Sequence, residues 1–163
     1  MNQFEKISER QYLMDIPSDP DIKWADYSDI KLPKRATRYS AGYDFFLTRD
    51  IVLKPGETVK IPTGIHVCLD EDKFLAIVPR SGLGFKYRLQ LDNTIGIIDA
   101  DYINSENEGH IFIKITNDSK EDKLLELEAG KAFAQGIIMS YFTTIDDEAE
   151  GKRNGGFGST DKK

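Results

Sequence analysis

With 163 residues, 22 Lys and Arg against 28 Asp and Glu, and a formal net charge of −6, the chain suits one domain with its own core. That charge argues against a general nucleic-acid binder, whose affinity comes from clustered Lys and Arg. Cys68 is the single cysteine, which excludes an intrachain disulfide and a multi-cysteine metal site. No stretch approaches the roughly 20 apolar residues of a membrane span. The opening Met1-Asn2-Gln3-Phe4-Glu5-Lys6 has no apolar signal core, so a cytoplasmic location and no membrane partner are expected.

Residues 1–30 carry no motif, and with Trp24 they supply either an opening strand or an arm across a neighbouring subunit. Beyond them, turn chemistry at Lys54-Pro55-Gly56-Glu57, Pro62-Thr63-Gly64 and Asn117-Asp118-Ser119 punctuates short apolar runs. Ile65, Val67 and Leu69 alternate with His66, Cys68 and Asp70, and Ile111, Ile113 and Ile115 alternate with Phe112, Lys114 and Thr116, the period of half-buried strands. Val59–Ile61, Phe74–Val78 and Gly136–Tyr141 add runs of strand length. Many short strands with regular turns predict an all-β sandwich or barrel. One short helix is expected over Leu83–Leu89, where Leu83 and Tyr87 are four apart and no Pro intervenes. His66 and His110 are isolated, which suggests strand residues facing solvent or a neighbour rather than a metal site.

Five segments carry chemistry: Ala41-Gly42-Tyr43-Asp44, Pro79-Arg80-Ser81-Gly82-Leu83-Gly84, Asn93-Thr94-Ile95-Gly96-Ile97-Ile98-Asp99-Ala100-Asp101-Tyr102, Gly130-Lys131-Ala132-Phe133-Ala134-Gln135 and Arg153-Asn154-Gly155-Gly156-Phe157-Gly158-Ser159-Thr160. The last, taken alone, reads as a solvated tail or as a flap in which glycines turn N–H groups toward an anion, Arg153 forks onto phosphate and Phe157 stacks on a base. In this order the five blocks resemble the motifs of the trimeric all-β dUTPase family, over about three quarters of the chain. The resemblance implies a jelly-roll-like β-barrel with one short helix over residues 31–150, a Gly-rich flap over 151–163, and a homotrimer. It further implies hydrolysis of dUTP to dUMP and pyrophosphate.

By that resemblance Asp99 activates the water that attacks the α-phosphorus, with Asp101 supporting it. Two residues apart in a strand-like segment, the two carboxylates would share a face. Tyr102 matches the ring that packs on deoxyribose and leaves a 2′-hydroxyl no room. Asn93 matches the uracil contact, and backbone groups of the hairpin from Gly96 through Ile98 toward Phe112 read the rest of the pyrimidine edge. Arg80 and Ser81 match the pair that grips phosphate oxygens, with Gly82 letting the chain pass close. Gln135 matches a residue at the α-phosphate or the attacking water, and Asp44 one that organises the site and the water shell of the metal. In the flap, Phe157 covers uracil with Gly158 and Ser159 behind it, and Arg153 or Lys152 meets the γ-phosphate.

Three phosphates carry more charge than a few cations offset, so Mg²⁺ held mainly by phosphate oxygens and water is implied, with no protein ligand assigned. The chain departs from the family pattern where Ile103-Asn104-Ser105-Glu106-Asn107-Glu108 separates Tyr102 from Gly109. That acidic insert leaves room for a regulatory protein partner beside the enzymatic role. A dCTP deaminase of similar fold is the competing enzyme, but it places a glutamate where this chain offers Asp99 and Asp101.

Overall fold

Alternating apolar and polar residues give this chain short, half-buried strands joined by turns and loops. The computed structural model describes residues 1–151 and residue 153, and among them it contains twelve strands and two short α-helices. The opening segment gives β1 (Gln3–Lys6) and α1 (Glu9–Asp15). Then come β2 (Lys34–Arg35), β3 (Tyr43–Phe46), β4 (Ile51–Leu53), β5 (Thr58–Pro62) and β6 (Ile65–Cys68). β7 (Lys73–Pro79) runs into α2 (Ser81–Tyr87), followed by β8 (Leu89–Leu91), β9 (Gly96–Asp99), β10 (Phe112–Asn117), β11 (Leu125–Leu127) and β12 (Ala132–Ser140). The largest sheet has the order β2-β3-β12-β7-β9, a second is β5-β10-β8, and β1-β6 and β11-β4 form two-stranded sheets. The mostly-β expectation therefore holds, with a second helix added to the one anticipated.

Period-two burial is clear in β10, where Ile113 and Ile115 are buried while Lys114 is exposed. β6 repeats it, with Ile65 and Val67 inward and His66 and Cys68 half-buried on the other face. These residues join Phe45, Ile61, Leu75, Ile77 and Phe133 in one core. At the centre of the large sheet, β12 crosses between β3 and β7 at Gly136. A Cβ there would lie 2.9 Å from both Leu75 Cδ1 and Phe45 Cε2, so the close approach of the sheet to its core requires glycine. Asn117 fastens the turn after β10: its amide donates to the carbonyls of Leu53 and Lys123, and its Oδ1 accepts from the Ser119 N–H.

The helix expected at Leu83–Leu89 instead spans Ser81–Tyr87. Arg88 takes the left-handed conformation (φ 48°) and ends it, and Leu89 is drawn into β8 opposite Asn117. The opening segment is an integral part of the fold, since β1 pairs antiparallel with β6 and Phe4, Ile7 and Tyr12 are buried in the common core. α1 was not anticipated, although Ser8-x-x-Gln11 is a capping pattern: the Ser8 hydroxyl accepts from the Gln11 N–H.

The acidic insert packs on this helix. Both oxygens of Glu108 are used at its N-cap, one accepting from the Ser8 N–H and the other from the Ser8 hydroxyl, each at 2.7 Å. At the far end of α1, Asp15 accepts from His110 Nδ1 at 2.6 Å. His110, expected as a strand residue facing solvent or a neighbour, lies outside the strands and away from solvent: its side chain is fully buried. Its Nε2 accepts from the Gly64 N–H at 2.8 Å, which leaves the proton on Nδ1, the neutral tautomer. Burial lowers its pKa, and the opposing pull of Asp15 and Glu108 does not restore it. Among the described residues no helix is long and apolar enough to cross a membrane.

Candidate active site

β9 and the segment after it line a cavity of about 570 Å³, within the size range of small-molecule sites. Asn93, Gly96, Ile98, Asp99 and Tyr102 all contribute to its wall. Gly96 lies flat against β7, where an added Cβ would come within 3.1 Å of Ile77 Cβ. Tyr102 is buried; its hydroxyl donates to the His110 carbonyl at 3.0 Å and accepts from Asn107 Nδ2 at 3.2 Å. Burial pushes the phenol pKa up against the opposing effects of Asn107 and Arg153, so the ring stands as a neutral, fixed wall.

Asp99 ends β9, and the chain then turns into a 3-10 helix over Ala100–Asn104. Asp101 therefore does not continue the strand as expected. The two carboxylates still converge, because the turn brings them to one cation: Arg153 Nε donates to Asp101 Oδ1 at 2.8 Å and its Nη2 to Asp99 Oδ2. Both carboxylates remain nearly half exposed. Arg153, expected at the γ-phosphate, thus rests on the acidic pair of its own chain. Lys152, Phe157, Gly158 and Ser159 lie outside the described residues.

The first, second and fourth motifs meet elsewhere. Arg80 follows β7 and pairs with Asp44 of β3, Nε to Oδ1 at 2.9 Å. Gln135 of β12 sits opposite Asp44 on one side and Val78 on the other, and its Nε2 donates to the Pro79 carbonyl at 3.1 Å. Gly42 makes this packing fit, since a Cβ there would overlap the Gln135 amide, 2.1 Å from its Oε1. Ser81 lines a shallow pocket beside Arg80. A Cβ at Gly82 would meet no described atom within 4 Å, so packing within the chain does not call for glycine there.

These two groups stand apart along β7. Asp99 is paired with Phe74, whereas Arg80 follows the last residue of the strand; positions 74 and 80 are separated by roughly 20 Å at about 3.3 Å per residue. Sequence reasoning missed the opposite wall of the cavity, where Lys60 of β5 lies 5.0 Å from the centre of the Phe112 ring and Lys114 pairs with Asp92 at 2.9 Å. The signal was present, since Phe112 and Lys114 are the outward positions of the alternating Ile111–Ile115 run.

The dUTPase family model matches residues 28–161. The chain is similar to the deoxyuridine 5′-triphosphate nucleotidohydrolase of Lactococcus lactis, 39% identical over 134 residues, covering 80% of this chain and 88% of the relative. It is also similar to that of Pseudomonas fluorescens, 35% identical over 144 residues, covering 83% and 91%. Among solved structures, the dUTPase of Streptococcus mutans superposes with a TM-score of 0.66 at 32% identity, over 86% of this chain and 97% of that one. A mutant dUTPase from phage phi11 of S. aureus, described with a coordinated structural Mg(II) ion, shares the fold with a TM-score of 0.63 at 22% identity over 93% and 97%.

Proposed function

The chain belongs to the dUTPase family and hydrolyses dUTP, and from that premise we propose how its residues divide the work. The carboxylate of Asp99 takes a proton from water as the water oxygen attacks the α-phosphorus; the bond from that phosphorus to the bridging oxygen breaks, and pyrophosphate leaves. Nucleotide entry replaces the Arg153 contact, freeing Asp99 to hold the water and Arg153, or Lys152, to meet the γ-phosphate. Asn93 and the backbone from Gly96 through Ile98 read uracil. Tyr102 packs on the deoxyribose, and a 2′-hydroxyl against its ring would be buried without a partner. Arg80, Ser81 and Gln135 hold phosphate oxygens, Arg80 being aimed by Asp44.

Hard oxygen donors suit Mg²⁺, and Asp44, Asp99 and Asp101 are the carboxylates of the two groups. The ion would be held chiefly through phosphate oxygens and water, with Asp44 holding waters of its shell. Bound there, Mg²⁺ would offset the charge that develops on the phosphate oxygens.

The observation that carries this reading furthest is the placement of Asp99 and Arg80 toward opposite ends of β7, too far apart to serve adjacent phosphates within one chain. Complete sites would then form between copies, and the family resemblance implies the division: the third motif of one subunit facing the first, second and fourth motifs of another, with the flap from the third subunit of a homotrimer. Co-expression tests this directly. Asp99→Asn chains and chains truncated after Gly151 are each expected to be inactive, while mixed trimers regain dUTP hydrolysis, because some sites combine an intact Asp99 with an intact flap. Purified mixed trimers no more active than either parent would overturn the shared site.

A further inference from the structure

On the opposite face of β6 from the core, three side chains of metal-ligand type converge. Glu5 in β1 is directly opposite His66 in β6, and Cys68, two residues further along, presents its side chain on the same face. Among the described residues, Glu5, His66 and Cys68 are the one group in which three such donor atoms lie within 4.8 Å of one another. None of them belongs to the nucleotide site.

We propose that Glu5, His66 and Cys68 form a binding site for a divalent cation of intermediate softness, Zn²⁺ above all. Bonds of about 2.0–2.2 Å to nitrogen and oxygen and about 2.3 Å to sulfur put tetrahedral neighbours roughly 3.4–3.6 Å apart. Glu5 Oε2 is 3.4 Å from His66 Nε2 and 4.0 Å from Cys68 Sγ, so a small swing of the half-exposed Glu5 side chain closes the set. A thiolate and an imidazole disfavour Mg²⁺ and Ca²⁺, which take oxygen ligands. The fourth position goes to water.

The imidazole is already set for this task. His66 Nδ1 lies 2.8 Å from the Glu108 carbonyl oxygen, which can only accept, so Nδ1 carries a proton and Nε2, on the Glu5 side, is the nitrogen available to a metal. A ligating histidine whose other nitrogen is anchored to a carbonyl has its ring orientation and tautomer fixed before the metal arrives. Because Glu108 also holds the N-cap of α1, a bound ion would tie β1, β6 and the acidic insert together. Its three ligands lie outside the residues assigned to the nucleotide, so the site is independent of the dUTPase assignment.

The test is a Co²⁺ titration of the reduced, chelator-stripped full-length protein without nucleotide, followed by displacement with Zn²⁺. Co²⁺ should bind one per chain with a near-ultraviolet thiolate-to-cobalt charge-transfer band and visible bands of four-coordinate intensity, and Zn²⁺ should remove both and raise the thermal midpoint. Cys68→Ser should abolish the charge-transfer band and weaken Zn²⁺ binding at least tenfold, and Glu5→Gln should weaken it while leaving dUTP hydrolysis unchanged. Absence of a thiolate band in the wild-type protein would overturn the site whether or not the variants fold. So would Zn²⁺ affinity within twofold of wild type in a folded Cys68→Ser protein.

Discussion

At the scale of single residues, Asp99 and His110 stand in opposite surroundings. Asp99 is nearly half exposed, lines the cavity together with Tyr102 and accepts from Arg153. Asp99→Asn is expected to keep the fold and lose roughly 10²–10⁴-fold in turnover, the usual contribution of a positioned base. Steady-state hydrolysis with Asp101→Asn as control checks it, and turnover within a few-fold of wild type would exclude Asp99. His110 must instead stay neutral, because its Nε2 accepts from the Gly64 N–H. Burial holds its folded pKa below the ordinary 6.5, against Asp15 and Glu108, while the unfolded chain titrates near the ordinary value. Below that pH the unfolded state takes up a proton that the fold refuses, so His110 contributes stability above about pH 6.5 that is lost as pH falls through its folded pKa. The lowered carboxyls of Glu108, Asp70, Asp92 and Asp118 act in a more acid window. Urea midpoints should therefore fall between about pH 7 and about pH 5.5, and His110→Gln, which can still accept from Gly64 and donate to Asp15, should flatten that dependence.

At the scale of elements, α1 and the insert form one unit packed against Tyr102. Glu108 holds the N-cap of the helix, His110 meets Asp15 at its other end, and the His110 carbonyl takes the hydrogen bond of Tyr102. Gly109 closes the unit: at φ +69° its missing side chain would fall 2.6 Å from Ile103 Cα and 3.0 Å from the Tyr102 carbonyl oxygen. Both obstacles are backbone, so nothing can rotate aside. Gly109→Ala should cost on the order of 1–3 kcal/mol and raise KM for dUTP as the Tyr102 backbone shifts. Denaturant titration and kinetics read the two effects separately, and an unchanged midpoint would show that the insert yields freely. Gly109, set apart from Tyr102 in sequence by the insert, thus still packs on the Tyr102–Ile103 backbone.

For the whole molecule, the question is which contacts make the assembly and which make the site. Among the described residues, the buried core runs from Phe4 to Ala134. Truncation after Gly151 is accordingly expected to leave the thermal midpoint and the oligomer mass unchanged within error while abolishing most hydrolysis. Analytical ultracentrifugation beside a nucleotide assay distinguishes this from a collapse of the proposed trimer, which would show that the tail holds subunits together.

Much of this was determined by the sequence alone. Alternation at Ile65–Leu69 and Ile111–Ile115 depends only on which side chains avoid water, and that local preference survived folding as β6 and β10. The five motif blocks likewise carried the family, because their residue types and order are readable without coordinates. What the tertiary structure decided were questions of competition between distant parts. Leu89 left the expected helix because β10 offered it a strand partner. His110 is buried because Asp15, 95 residues away, and Gly64 together satisfy its ring. The separation of Asp99 from Arg80 is a matter of strand register, fixed by pairings between β7 and β9 that no single segment encodes. Local chemistry sets which residues can react; long-range pairing sets which of them meet, and the free energy of that choice is shared among segments that are far apart in the chain.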